Sequence, residues 1–340
     1  MKEQNNRIVR KEKYNIAGLK VLMTTYYEET YRRAKKYIAK DESWDKKEAD
    51  IVIDLGSETY EKIHDEYMPY SNCEAIEYIY TGSYFYHKLL KYNGCMLHSS
   101  GVVVDGYAYL FSANSGTGKS THTGLWLEHF KDKAYIINDD KPVLKKENDS
   151  WYVYGTPWSG KYDINANKKE LLGGIVFLER SKTNYIEPLQ VKDAIPLFYN
   201  QTVKSFKKVE SIELVLKTLE QVLTENPIYK MGCDISDSAV EMAYNTIKIM
   251  EARMKIKQGF ILRNVAGNNV VVPVGEATID FNGMMSLNET GAFLFEKMIE
   301  GTTKEQLIEQ LMSQYEIDAD TAKNDVEEFI EKVKKENLFE

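Results

Sequence analysis

The apolar positions of this chain fall into three blocks with different textures. From residue 1 to 92 short strand-like runs alternate with helix-like ones. Residues 16–23 and 50–55 read as strands, and residues 28–39 carry helix formers and paired charges. Tyr84, Leu89 and Leu90 share one face of a helix expected over residues 83–92, which the pair Asn93-Gly94 closes. The second block, 93–256, opens with an apolar run, the tight turn Asp105-Gly106 and a second apolar run, which is a hairpin signal. A glycine-rich loop follows, then a helix over 119–130 and a short apolar strand, 134–138, that ends in two aspartates. Residues 142–145 and 151–154 form a second hairpin-like pair and 174–178 a further strand, with the remainder up to residue 254 expected to be largely helical. Strand, loop, helix, strand is the rhythm of a phosphate-binding α/β core. In the third block, 257–340, three short strands are expected at 260–263, 270–274 and 277–281, followed by three helices. The last helix carries Ala322, Val326, Phe329, Ile330 and Val333 at helical spacing, and Thr303 with Gln306 has capping-box spacing ahead of the second.

Composition narrows the class. The chain has 340 residues, 43% hydrophobic and 28% charged, which are ordinary globular values and predict two to three domains. No apolar run can span a bilayer, and the first residues lack the apolar core of a signal peptide. Three widely separated cysteines (Cys73, Cys95, Cys233) exclude a disulfide framework and a cysteine-built zinc site, so a reducing, cytoplasmic setting is expected. A net charge of −8 argues against nucleic acid as a partner, and nothing suggests a membrane partner.

The strongest chemical signal is Ala113-Asn114-Ser115-Gly116-Thr117-Gly118-Lys119-Ser120, followed by Thr121. Backbone N–H groups in such a loop cradle phosphates at the start of the following helix. Lys119 is placed to reach the β- and γ-phosphates and the Ser120 hydroxyl to bind Mg²⁺, so Asn114 to Thr121 are expected to hold ATP or GTP. The usual first glycine is replaced by Ala113. Asp139-Asp140 ends the strand behind this loop, where a Mg²⁺ ligand belongs, and two adjacent carboxylates allow one to serve the metal and one to accept a hydroxyl proton. The bland alternative is a solvated turn. The glycine-bounded stretch 155–161, with the single cation Lys161, reads either as a loop over the nucleotide or as an ordinary surface loop. His64, His87, His122 and His129 read as structural or exposed.

Leu97-His98-Ser99-Ser100-Gly101-Val102-Val103-Val104-Asp105-Gly106, then the glycine-rich loop, then Asn138-Asp139-Asp140, resembles the catalytic core of HPr kinase/phosphorylases, which share a phosphate-loop fold with phosphoenolpyruvate carboxykinases. The resemblance implies that Asp139 is the general base, that Asp140 helps hold Mg²⁺ and that His98 assists. The arginine-containing signature that those kinases carry after the aspartate pair is absent. Lys161 is then the expected cationic substitute and Asp163 a weaker candidate metal ligand. The third block resembles the PqqD family of small winged-helix-like domains that recognise leader peptides of ribosomally made, modified peptides. The matching residues are Leu287-Asn288-Glu289-Thr290-Gly291-Ala292, Gly301-Thr302-Thr303, and Asp325-Val326 onward to Leu338. In that family the leader adds as a strand beside the third strand and packs on the last helix, a β-augmentation. Here the resemblance assigns this to Ala277, Thr278, Ile279, Asp280 and Phe281, with Val326 and Ile330 from the helix. A DNA-binding winged helix is disfavoured by Asp325, Glu327, Glu328 and Glu331 on that helix.

The expected architecture is therefore α/β: an α+β N-terminal region (1–92), a phosphate-loop kinase-like core (93–256) and a three-strand, three-helix PqqD-like domain (257–340). The expected activity is ATP-dependent phosphorylation of a Ser or Thr hydroxyl in a precursor peptide held by its leader. The alternatives are an enzyme that spends ATP to activate the peptide, a nucleotide-switched peptide chaperone and, with less support, a small-molecule kinase. Other peptide-modifying enzymes and a second copy of the chain stay open as partners.

Overall fold

The first apolar run does not form one strand. Ala17 and Gly18 both adopt positive φ, 53° and 73°, and this two-residue turn folds the run into a hairpin, β1 (Arg10–Ile16) with β2 (Leu19–Thr25). In the computed structural model, which describes residues 9–40, 43–148, 150–203, 209–251, 254–275, 277–281 and 283–339, the chain divides into two units, Met1–Ile247 and Lys248–Glu340. After β2 come α1 (Glu28–Ala34), β3 (Ile51–Ile53), α2 (Ser57–Tyr67) and α3 (Cys73–Leu89). β3 pairs in parallel with β2. Helix α3 starts ten residues before the expected 83, because Asn72 caps it by accepting the Ala75 N–H at 2.8 Å. The buried side chains of β1, β2 and β3 share one core with Phe85 and Leu89 of α3, and with Val143, Tyr154 and Trp158 of the second block.

The second block builds a nine-stranded mixed sheet. Its elements are β4 (Gly94–Met96), β5 (Ser99–Val104), β6 (Tyr107–Ser112), α4 (Lys119–Phe130), β7 (Ala134–Asn138), β8 (Val143–Glu147), β9 (Ser150–Tyr154), β10 (Lys169–Arg180), β11 (Tyr185–Pro188), α5 (Val191–Asn200), α6 (Val209–Glu225), β12 (Ile228–Cys233) and α7 (Asp237–Glu251). The order is β4-β8-β9-β10-β6-β5-β7, with β12 also on β10 and β11 on β12. β5 and β6 form the expected hairpin, and the long β10 runs parallel to both β6 and β12. The stretch after residue 178 is largely helical, as expected, but also contributes the strands β11 and β12, which the sequence did not single out. β12 is a short buried run flanked by helices, where periodicity cannot separate strand from helix. Alternation along β6 sorts the sheet's faces. Tyr109 and Phe111 meet Trp126 of α4, while Leu110 packs with Ala194 and Phe198 of α5 and Leu219 of α6. Among the described residues no helix is long and apolar enough to cross a membrane.

The second unit contains β13 (Phe260–Val265), β14 (Asn268–Pro273), α8 (Ala277–Asp280), β15 (Met285–Leu287), α9 (Glu289–Glu300), α10 (Lys304–Tyr315) and α11 (Ala319–Lys335). Its own core includes Val271, Phe295, Met298, Leu307, Leu311, Val326 and Val333. The sheet is antiparallel in the order β13-β14-β15. The third strand is therefore not where the sequence placed it. Ala277, Thr278, Ile279 and Asp280 form a single helical turn and Phe281 follows it. Gly275 takes φ +65°, and its carbonyl accepts the Thr278 hydroxyl at 2.7 Å, which curls the chain before a strand can start. β15 shows the alternation a half-buried strand needs: Met285 in, Ser286 out, Leu287 in.

Candidate active site

β6 delivers the chain to the glycine-rich loop and α4 leaves from it. Gly118, with φ 121°, has nothing within 4 Å of where a Cβ would sit, so the loop is open where a phosphate group would approach the backbone. Lys119, 9% exposed, donates from Nζ to the Ala113 carbonyl at 2.9 Å. Burial lowers its pKa, and the Asp140 charge acts against that shift. The hydroxyl residues Ser120 and Thr121 stay exposed on the first turn of α4. Asn114, Ser115 and Gly116 are exposed, and the Asn114 carbonyl accepts the Thr117 N–H. From the end of β10, Arg180 donates to the Gly116 and Thr117 carbonyls. A cleft of about 630 Å³ adjoins the loop, with Thr121, Leu125, Leu178, Arg180, Cys233 and Ile235 in its walls. His122 also lines this cleft; it is largely buried, it accepts Trp126 Nε1–H at 3.1 Å, and burial lowers its pKa to about 4.

The aspartate pair sits at the tip of β7, fixed by Asn138. The Asn138 side-chain oxygen accepts the N–H groups of Asp140 (2.9 Å) and Lys141 (2.7 Å), and its amide donates to Thr156. Asp140 Oδ1 lies 3.0 Å from His98 Nε2, and Oδ2 pairs with Lys141. Burial alone pushes the Asp140 carboxyl up, but His98 and Lys141 outweigh it and hold it at about 2. Asp139 differs. Its Oδ1 accepts the Gly160 N–H at 2.6 Å, yet burial dominates and raises its pKa above the ordinary carboxylate value. His98 is anchored twice by Gln201: its N–H donates to the Gln201 carbonyl at 2.7 Å, and its Nδ1 lies 2.9 Å from Gln201 Oε1. Gln201 also donates from Nε2 to Asn114 Oδ1 at 3.2 Å, which links the histidine to the glycine-rich loop. The structure thus brings His98, Asp140 and the loop into one chain of contacts. The exposed Ser120 hydroxyl and the ionised Asp140 carboxylate are hard oxygen donors of the kind Mg²⁺ takes.

Of the stretch 155–161, residues 155–159 are not an ordinary surface loop. Gly155 to Ser159 are buried, and Trp158 is stacked on Phe85 at 4.9 Å. Lys161 is exposed, with its ammonium 5.8 Å from the Tyr162 ring centroid and no contact to the aspartate pair among the described residues. A cation whose charge acts on Asp139 comes from the N-terminal segment. Arg33 of α1 donates to the Gly160 carbonyl at 2.9 Å, faces Asp163 at 3.7 Å and lies over the Tyr78 ring, while the Tyr78 hydroxyl donates to the Ser159 carbonyl at 2.8 Å. Asp163 is engaged by Arg32, Arg33, Ser159 and Asn165. Arg33, Tyr78 and Gln201 carry no motif, and each lies at least 60 residues from Asp139, so no local pattern marks them.

In the second unit, Val326 is fully buried and Ile330 nearly so, both inside the core, so neither lines the groove that is open to solvent. The accessible groove lies one face over, between α9 and α11, with Asn288, Leu294, Asp325, Glu328, Phe329 and Lys332 among its walls. β15, which leads into α9, pairs only with β14 among the described strands and leaves its outer edge unpaired.

Residues 269–338 match the family model described as coenzyme PQQ synthesis protein D (PqqD). No curated protein matches the chain. Among solved structures, one similar chain is TbiB1 in complex with the TbiA(beta) leader peptide, 18% identical over 26% of this chain and 95% of that one, with a TM-score of 0.22. Another is the HPr(Ser) kinase/phosphatase from Coxiella burnetii, 11% identical over 45% of this chain and 92% of that one, with a TM-score of 0.27.

Proposed function

We propose that this protein is an ATP-dependent kinase that phosphorylates a Ser or Thr hydroxyl of a precursor peptide, which its C-terminal unit holds by the leader. The observation that carries the reading is the His98–Asp140 contact, linked through Gln201 to the glycine-rich loop, with the raised Asp139 carboxyl next in the chain. A transfer site needs a phosphate cradle, a cation at the phosphates, a metal ligand and a base, and these side chains provide each. The backbone of Asn114 to Thr121 cradles the triphosphate and Lys119 turns from the Ala113 carbonyl to its β- and γ-oxygens. Asp139 accepts the hydroxyl proton as the new O–P bond forms and the bond to the β–γ bridging oxygen breaks, with ADP leaving. Ser120 and Asp140 would hold Mg²⁺, which supplies charge neutralisation at the phosphates when bound. His98 holds Asp140 in place.

The PqqD match and the open edge of β15 support leader recognition by strand addition, with the leader's side chains meeting the α9–α11 groove. Tethering then raises the local concentration of the acceptor, so the transfer site need not bind the core tightly. Intact mass spectrometry of candidate precursor peptides with ATP and Mg²⁺ tests the reading. A gain of about 80 Da per phosphoryl group is expected, absent with Asp139→Asn and reduced without the leader. ADP or pyrophosphate release with no mass gain on any peptide would sink it and favour peptide activation or a nucleotide-switched chaperone.

A further inference from the structure

A cavity of about 180 Å³ lies against α3, with Tyr78, Ile79, Gly82, Tyr86, Trp158 and Lys141, the residue that follows the aspartate pair, among its walls. Ser83 also lines the space, its hydroxyl 3.5 Å from His87 Nδ1, and the other polar groups of the walls each have a partner within the protein. The Tyr86 hydroxyl donates to the Lys141 carbonyl at 2.8 Å, the Tyr78 hydroxyl to the Ser159 carbonyl, and the Lys141 ammonium pairs with Asp140. A polar occupant would give up water and would have to compete with these contacts for partners, so the space favours an apolar group. Its size is close to the roughly 150 Å³ that accommodates one benzene ring. One aromatic or branched aliphatic side chain fits, and two do not.

The walls are also closely packed. The Trp158 indole stacks on Phe85 and donates from Nε1 to Thr81 Oγ1 at 3.2 Å. It lies so close to α3 that a Cβ on Gly82 would meet it at 2.7 Å. Ile79, 49% exposed, brings the rim to the surface. Three features tie the cavity to the transfer centre. Lys141 is at once its wall and the ion partner of Asp140. Trp158 stands two residues before Gly160, whose N–H holds Asp139. Burial raises the phenol pKa values of Tyr78 and Tyr86, and the Asp140 charge adds to both, which places that carboxylate within electrostatic reach of the cavity wall.

We propose that this cavity is an acceptor-side specificity pocket: it takes one bulky apolar side chain of the peptide, close in sequence to the hydroxyl that receives the phosphoryl group. The occupant's identity rests on the kinase reading, whereas the cavity's selectivity for an apolar side chain does not.

Two measurements on the full chain separate these. In the first, ¹⁵N-tryptophan-labelled protein is titrated with N-acetyl-leucinamide, N-acetyl-phenylalaninamide and N-acetyl-aspartamide, and the indole signal of Trp158, assigned with Trp158→Phe, is followed by NMR. The two apolar amides should shift it and the aspartamide should not. Ile79→Glu, a change at an exposed position, should remove the shift without altering the melting temperature. In the second, peptides with one leader and one serine carry Leu, Phe, Ala or Asp beside the serine, and phosphorylation is measured with ATP and Mg²⁺. Leu and Phe should exceed Ala and Asp by about tenfold or more in kcat/KM, and Ile79→Glu should flatten the difference. Transfer without such a preference overturns the pocket and leaves the kinase reading standing. A preference that Ile79→Glu does not change places the discrimination elsewhere and likewise overturns the pocket. Indole shifts with no phosphate on any peptide would keep an apolar side-chain site but overturn phosphoryl transfer, and the acceptor role with it.

Discussion

Asp139 and Asp140 are adjacent in sequence and pushed in opposite directions. Asp140 faces His98 and Lys141 and stays ionised, whereas Asp139 faces one backbone N–H and is raised by burial. Asp139→Asn should therefore abolish transfer while nucleotide affinity, measured by calorimetry, stays within about twofold of the native value. Gly118→Ala should do the reverse of a conservative change. A φ of 121° is strained for alanine, and its methyl would occupy the space over the loop, so nucleotide affinity should fall by about tenfold or more with the fold retained. Glu77 has a separate prediction. It is fully buried on α3 and accepts the N–H groups of Tyr26 (2.6 Å) and Tyr27 (3.3 Å) at the start of α1. Burial raises its pKa to about 7 from an unfolded value near 4.5. Between those values the folded state binds more protons than the unfolded state, so Glu77's contribution is complete below about pH 4.5 and is lost as pH rises through about 7. The slope is about 1.4 kcal/mol per pH unit at most. The difference in thermal stability between Glu77→Gln and the native chain should therefore shift in favour of the variant between pH 5 and pH 8; a constant difference would mean that Glu77 does not titrate there.

Helices with local start signals were readable, and strands set by distant partners were less so. Helix α4 spans the expected 119–130, and Thr303 with Gln306 forms the expected capping box ahead of α10. Helix α9 is capped by Asn288, which accepts the Gly291 N–H at 2.8 Å. Asn288→Ala should cost the second unit about 1 kcal/mol in denaturant unfolding, and no change would mean that the cap is replaced by water. The third strand of that unit was misplaced because 277–281 and 285–287 are both short mixed runs beside a glycine. Which of them pairs depends on where β14 offers its free edge, and no local propensity encodes that. The same reason hid β12, whose pairing partner β10 lies some 50 residues earlier.

The N-terminal segment gave no motif, yet its helices α1 and α3 carry Arg33 and Tyr78, which brace the 157–160 segment that holds Asp139. Its apolar residues also share a core with Val143, Tyr154 and Trp158. Arg33→Ala should lower kcat more than the KM for nucleotide, with partial rescue by added guanidinium; equal loss in both would mean a general structural role. The second unit has its own core, so a chain ending at residue 247 should keep nucleotide affinity and lose the leader's effect on phosphorylation rate. The sequence by itself determined the glycine-rich loop, the aspartates behind it, the α/β class and the match of residues 269–338, because each rests on contiguous residues whose local backbone chemistry is fixed by neighbours. Only the tertiary structure decided that His98 meets Asp140 through a scaffold anchored by Gln201, that an arginine about a hundred residues away stands near Asp139, and that 155–159 is a buried wedge. Those are long-range contacts, set by which faces must be buried together, and a linear pattern does not record which distant residue completes them.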